Sequence, residues 1–307
     1  LAAGRVRLEN GQVAGYDVDR GRITISGGGM NATGQDYTRL IARAVDVNAR
    51  LQAGDLKITT GRNQTDADGN VIQVKADDPD GRPQFAVDTA SLGGMYANRI
   101  TLVGTERGVG VRNAGEIGAT QGGFTLNAEG KLTNSGTLYS QQDLALKTAQ
   151  LDNQGHIATG GNLSVTNQGS LTNSGQMRAD QDLRLDTSGV LRSEAGSSLI
   201  AGRNATVNAQ SVEADSGSAM GAGIDDNGQA TRSGQLTVNA AGRLASHGTH
   251  LSRDGFTASG SEVDLSGSQN RSAAVTATAR DGNLSVDGAL IDADRATLSS
   301  ARAFSSR

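Results

Sequence analysis

The 307-residue sequence has no cysteine, no tryptophan and two prolines, Pro79 and Pro83. Without cysteine there is no disulfide framework, thiolate metal site or cysteine nucleophile, and the redox compartment stays open. So few prolines rule out a collagen-like chain, although the 43 glycines are about twice the usual share. Four tyrosines and four phenylalanines are too few for a bulky core, so the core is expected to be aliphatic and thin. No apolar run approaches the roughly 18 residues of a membrane-spanning helix, and no membrane insertion is expected. The start, Leu1-Ala-Ala-Gly4, has neither an initiator Met nor a basic-then-apolar leader, as expected of an interior piece of a longer chain. Lys and Arg number 28 against 32 Asp and Glu, a net charge of −4 without a single-sign block. Attraction to nucleic acid or anionic lipid is therefore not expected.

What the sequence has is a repeat. Val111-Arg-Asn-Ala-Gly115, Leu132-Thr-Asn-Ser-Gly136, Leu151-Asp-Asn-Gln-Gly155 and Leu171-Thr-Asn-Ser-Gly175 start 21, 19 and 20 residues apart. One variable residue follows each pentad (Glu116, Thr137, His156, Gln176) and then an apolar one (Ile117, Leu138, Ile157, Met177), the alternation of a strand. A second series keeps step with the first: Phe124-Thr-Leu126, Leu144-Ala-Leu146, Leu163-Ser-Val165, Leu183-Arg-Leu185 and Ala205-Thr-Val207. Before these lie Gly123, Asp143, Asn162, Asp182 and Asn204, residue types that tolerate turns. Looser copies follow at Leu236, Phe256, Leu284 and Ala296.

A unit of about 20 residues cannot bury both its own faces and is stable only when stacked on its neighbours. Period-two spacing with frequent Gly, Asn, Ser and Thr excludes a helical repeat, and the spacing is not that of leucine-rich repeats. The expected fold is all-β: a parallel β-helix (β-solenoid) of about 20 residues per rung, right-handed because parallel crossovers are. Stacking in register predicts an amide ladder of Asn113, Asn134, Asn153 and Asn173, and a turn column of Gly123, Asp143, Asn162, Asp182 and Asn204. Two stretches break the period. Residues 61–90, with Asp-containing turns around Val71-Ile-Gln-Val-Lys75, read as a hairpin leaving the coil. Residues 214–233 read as a flexible loop excursion.

The first 120 residues resemble a known family. Gly21-Arg-Ile-Thr-Ile-Ser-Gly-Gly-Gly-Met-Asn-Ala-Thr-Gly34, Asp36-Tyr-Thr-Arg-Leu-Ile-Ala-Arg-Ala-Val45, Val47-Asn-Ala49 and Thr60-Gly-Arg-Asn63 resemble the later part of the secretion domain of filamentous haemagglutinin and its relatives. Leu92-Gly-Gly-Met-Tyr96, Ile100-Thr-Leu-Val-Gly-Thr105 and Gly108-Val-Gly-Val-Arg-Asn-Ala-Gly115 resemble the segment that follows there. The resemblance implies the C-terminal part of a two-partner-secretion domain over residues 1–120 and a haemagglutinin-repeat shaft over 121–307. It further implies export after periplasmic transit through an outer-membrane transporter that recognises the amino-terminal region, and a secreted or cell-surface product. Distal regions would then meet a host or bacterial receptor, as an adhesin or as the stalk of a contact-dependent growth inhibition toxin. The family's Asn-Pro-Asn-Leu and Asn-Pro-Asn-Gly-Ile motifs have no match here. They are expected upstream of Leu1, so the segment alone should not be competent for export.

An enzyme has to be weighed, because solenoid lyases and hydrolases set carboxylates on neighbouring rungs. Asp143 and Asp182 share a column, but Asn162 separates them, which puts them about 10 Å apart, and turn formation explains the column. His156 falls in the variable column and should face solvent. His247 and His250 would point to opposite faces of a strand, although a loop could gather them with Asp254 into a metal site. Gly130-Lys131 lacks the rest of a phosphate loop, and Gly27-Gly-Gly29 fits a turn. The Asn-x-Ser/Thr triplets at Asn31, Asn63, Asn162, Asn204 and Asn283 fit a glycosylation pattern, yet three occupy repeat positions. No catalytic residue, cofactor or metal is assigned. The expected function is a non-enzymatic structural or adhesive segment; the alternative is a carbohydrate-active β-helix enzyme or carbohydrate-binding module.

Overall fold

In a computed structural model that describes residues 1–307, strands joined by short turns make up the chain. They wind a parallel β-solenoid of about 14 turns with about 21 residues per turn. The chain divides into two compact units, Leu1–Gln150 and Leu151–Arg307, and each is built from three parallel faces.

In the first unit, one coil runs through Gly110–Asn113, Glu116–Ala119 and Phe124–Ala128 before Lys131–Asn134 begins the next. Register is strict: Asn113 pairs with Asn134, Ile117 with Leu138, and Phe124 with Leu144. The second unit repeats the plan, with Leu171 on Leu191, Met177 on Leu199 and Leu183 on Ala205. Along Leu163–Asn167 buried and exposed residues alternate, which is the period-two pattern of a strand with one dry face. Each inward Leu removed from water contributes roughly 1.5–3 kcal/mol, and a narrow coil admits only one or two per strand. Stability therefore accumulates coil by coil.

The expected hairpin over 61–90 is corrected in extent and in company. The chain leaves the coil only over 61–84, where Asn63–Asp66 and Val71–Val74 join Arg5–Glu9 and Gln12–Asp17 in a four-stranded antiparallel sheet. Phe85–Thr89 is a solenoid strand between Ala44–Val47 and Gly110–Asn113. The amino-terminal hairpin turns at Asn10 and Gly11, both at positive φ (52° and 77°), the preferred chemistry of a two-residue hairpin turn. The two hairpins are tied by Asp19, which accepts from Lys75 Nζ (3.0 Å) and Arg62 Nη2 (3.1 Å). The Lys75 hydrogen bond foremost holds the Asp19 carboxyl below its usual pKa.

The excursion over 214–233 is also narrower than expected. Ser211–Ala214 and Ala219–Ala222 are coil strands, and the chain departs only over 223–234. The departure is a closed turn: Asp225 Oδ1 accepts from the N–H groups of Asn227 (2.9 Å) and Gln229 (3.0 Å), while Asp225 Oδ2 takes the Thr231 hydroxyl (2.6 Å).

One buried ion pair fastens the loop after the second hairpin. Arg43, 2% exposed, donates to Glu106 through Nη2 (2.6 Å) and Nε (3.2 Å), and to the carbonyls of Asp78 (2.7 Å) and Asp80 (3.1 Å). Glu106 foremost raises the Arg43 pKa above its ordinary value. Losing one member of such a pair leaves an uncompensated charge in the dry interior, which costs about 3–5 kcal/mol, whereas an apolar pair is nearly neutral. Arg43→Met should accordingly destabilise the first unit by that amount, and Arg43→Met with Glu106→Leu should regain most of it. Tyrosine fluorescence during urea unfolding reports this unit selectively, since Tyr16, Tyr37, Tyr96 and Tyr139 all precede residue 151. Equal losses in both variants would show that charge compensation is not what the pair provides.

Candidate functional site: side-chain ladders along the coils

Asn113, Asn134, Asn153 and Asn173 are fully buried at the end of equivalent strands. In the first unit Asn113 Nδ2 donates to Asn134 Oδ1 (2.9 Å) and to the Thr137 carbonyl (3.0 Å), while Asn113 Oδ1 accepts the Gly115 N–H (3.2 Å). In the second unit Asn153 Nδ2 donates to Asn173 Oδ1 (2.9 Å) and to the Gln176 carbonyl (3.2 Å). Asn173 Nδ2 reaches the Ser198 carbonyl (3.1 Å). Each amide serves two purposes: it closes its own corner and bonds to the next coil. Asparagine fits because its side chain mimics a peptide group, one acceptor and two donors on a short stem. The glycine two positions on is equally constrained, since a Cβ on Gly136 would lie 2.0 Å from the Gly115 carbonyl oxygen.

The column of Gly123, Asp143, Asn162, Asp182 and Asn204 lies at the corner before the strands that start with Phe124, Leu144, Leu163, Leu183 and Ala205. Its side chains do more than permit a turn. The Asp182 N–H donates to Asn162 Oδ1 (3.1 Å), the Asn204 N–H to Asp182 Oδ1 (3.0 Å), and the Gln235 N–H to Asn204 Oδ1 (3.0 Å). The Asp182 carboxylate also meets Arg203 (3.3 Å). A third ladder was missed: Asn208 Nδ2 donates to Asp186 Oδ1 (2.7 Å), Asn239 Nδ2 to Asn208 Oδ1 (3.0 Å), and Ser259 Oγ to Asn239 Oδ1 (2.9 Å). Its signal was present as a polar residue directly after Leu183-Arg-Leu185, Ala205-Thr-Val207 and Leu236-Thr-Val238.

His156 is exposed, opposite Gln176 in the neighbouring coil. His250 points inward and is buried, while His247 is half-exposed beside the Ser266 carbonyl (2.8 Å) and Asp264 (3.8 Å). Asp254 instead closes the 223–234 excursion, accepting from the Ser233 hydroxyl and the Gly234 N–H (2.9 Å). These three candidate ligands do not converge. A groove of about 550 Å³ lies beside the second hairpin, and two of the carboxylates along it are engaged, Glu106 by Arg43 and Asp77 by Arg82 (2.7 Å).

The model of the two-partner-secretion (TPS) domain matches residues 1–134, and the haemagglutinin-repeat model matches 119–175, 176–248 and 233–304. The chain belongs to the two-partner-secretion exoproteins with haemagglutinin repeats. Toxin CdiA of Yersinia pestis is 45% identical over 296 residues, covering 96% of this chain and 8% of that protein. The tRNA nuclease CdiA-2 of Burkholderia pseudomallei (strain 1026b) is 40% identical over 276 residues, 89% of this chain and 8% of its own length. The 16S rRNA endonuclease CdiA of Enterobacter cloacae is 43% identical over 141 residues, 46% of this chain and 4% of its own. The chain thus spans under a tenth of these relatives. No solved structure matches it.

Within this haemagglutinin-repeat exoprotein we propose that the ladders, rather than any pocket, are the working residues. Replacing Asn113 by Leu strands the Gly115 N–H and the Thr137 carbonyl, at about 1–3 kcal/mol for each unsatisfied group. The melting temperature should fall clearly, and an unchanged melting curve would contradict the ladder. At the corner, Asp182→Asn keeps the acceptor for the Asn204 N–H and should be close to neutral, whereas Asp182→Ala should cost about 1 kcal/mol. Identical midpoints for the two corner variants would remove the column's role.

Proposed function

We propose that residues 1–307 form the start of the shaft of a large exoprotein: a length-building segment that performs no covalent chemistry and carries a distal activity away from the cell. The observation behind this reading is the turn-after-turn reuse of one coil plan, in which Leu, Asn and Asp columns are spent on stacking. We divide the segment into the end of a secretion domain over 1–120 and a haemagglutinin-repeat shaft over 121–307. The partner in export is an outer-membrane transporter that reads the amino-terminal region after periplasmic transit. The partner at the far end is a host or bacterial surface receptor, met by regions beyond this segment. The toxin and nuclease names of the relatives support a stalk in contact-dependent growth inhibition over a purely adhesive shaft, and their activities are assigned to the far larger remainder of those proteins.

The test uses the full-length exoprotein expressed with its transporter. Removal of residues 1–134 should abolish its appearance outside the cell. Removal of one whole coil, Ser174–Ser193, should leave both export and contact-dependent killing intact. Killing lost while export persists would give this stretch a specific activity and overturn the shaft reading.

A further inference from the structure

In the second unit one inward column changes from apolar to polar. The inward column of one face runs Ile157, Met177, Leu199 and Met220, and then continues as His250 and Asn270, paired in register with Met220 on Leu251's neighbour His250 and with His250 on Asn270. Both polar residues are 1% exposed. Ser246 Oγ lies 2.6 Å from His250 Nε2, and Asn270 Oδ1 lies 2.7 Å from His250 Nδ1. Asn270 Nδ2 donates onward to Ser268 Oγ (2.9 Å) and to the Leu290 carbonyl (3.1 Å). Because Asn270 presents an oxygen, the imidazole hydrogen sits on Nδ1, and Nε2 is left to accept the Ser246 hydroxyl. Phe256 stacks on the ring with centroids 4.4 Å apart.

The arrangement holds a neutral imidazole with every valence used and makes no provision for a charged one. Of the elements packed on the ring, Ala219–Ala222 brings Met220, Gly255–Gly260 brings Phe256, Leu244–Ser246 brings Ser246, and Gln269–Arg271 brings Asn270. The nearby charges lie outside the coil: Arg271 pairs with Asp292 (2.9 Å), Asp264 with Arg243 (3.0 Å), and His247 stands beside Asp264. Protonation would only turn the Ser246 contact round, the hydroxyl accepting instead of donating, but it would set a positive charge in the dry interior with no carboxylate to compensate it. Desolvation foremost, together with the repulsion of His247, lowers the His250 pKa from 6.5 to about 4, against the favourable Asn270 bond.

We infer that the coils carrying His250 and Asn270 are an acid-sensitive joint: protonation of this imidazole opens residues 244–272 while the coils before them, apolar at the equivalent station, stay wound. A solenoid permits this, because each coil contacts only its neighbours and can open without global unfolding. The sign follows from linkage. The unfolded segment binds the proton more readily, so stability is intact above pH 6.5 and is lost progressively as the pH falls towards 4.

Hydrogen exchange followed by mass spectrometry on the whole chain between pH 7 and 3.5, corrected for intrinsic rates, tests this. In the wild type, protection of 244–272 should fall by about a hundredfold or more, with a much smaller change over 157–207. His250→Gln keeps an acceptor and a donor but cannot titrate, and should remove the difference. His250→Met with Asn270→Leu, which continues the Met220 column, gives a second non-titrating variant should the first not fold. Undiminished protection in the wild type, or the same acid loss in a folded non-titrating variant, would overturn the joint.

Discussion

Register between neighbouring coils is the constraint on which everything else rests. A parallel backbone ladder sets successive coils about 4.8 Å apart, so each side chain has as its nearest neighbour the residue at the same station one coil away. Inward stations therefore favour groups that tolerate a copy of themselves at that distance: aliphatic chains, which pack, and amides, which donate on one side and accept on the other. Asn113 on Asn134 and Asn153 on Asn173 are the amide solution; Leu171 on Leu191 is the aliphatic one. A carboxylate stacked on a carboxylate would repel. Asp182 is accordingly flanked by Asn162 and Asn204, whose corner it shares through backbone N–H groups.

The same rule explains what the sequence revealed. The coil, its period and the asparagine stations were legible because stacking makes a residue resemble its counterpart about 20 positions on. Features that occur once have no such echo. Arg43 and Glu106 are 63 residues apart and meet because a single loop covers them, and nothing local in either neighbourhood announces the pair. The excursions were located but drawn too wide. Phe85–Thr89 and Ala219–Ala222 lie beside irregular sequence and carry atypical residues, yet backbone pairing to both neighbours keeps them in the coil. The amino-terminal hairpin was missed although Arg5-Val-Arg-Leu-Glu9 alternates and Asn10-Gly11 is a strong turn signal: it lies outside the 20-residue period, and its apolar residues Val6, Leu8 and Val13 stay exposed rather than joining the core.

The two units apply the plan differently. The first carries an antiparallel sheet outside its coil, fixed by the Asp19, Arg62 and Lys75 ion pairs and by the Arg43 latch. Three of its aromatic rings carry a guanidinium over one face, Arg39 on Tyr37, Arg50 on Tyr96 and Arg112 on Phe85. The second is plainer outside and admits hydroxyls and amides inside towards its later coils, where Ser246, Ser252, His250 and Asn270 replace aliphatic residues. Hydrogen-bonded interior groups fix geometry but give less net stabilisation than well-packed methyls. The later coils therefore rely more on bonding exactness than on dry volume.

The excursion over 223–234 interrupts nothing. Ala205–Ala209 and Gln235–Ala240 lie on either side of it in sequence, and they remain paired residue for residue. A corner of this kind is a socket: chain can be spliced in there without disturbing the threads above and below. Diversification of such proteins can thus proceed by decorating corners, leaving the winding itself untouched.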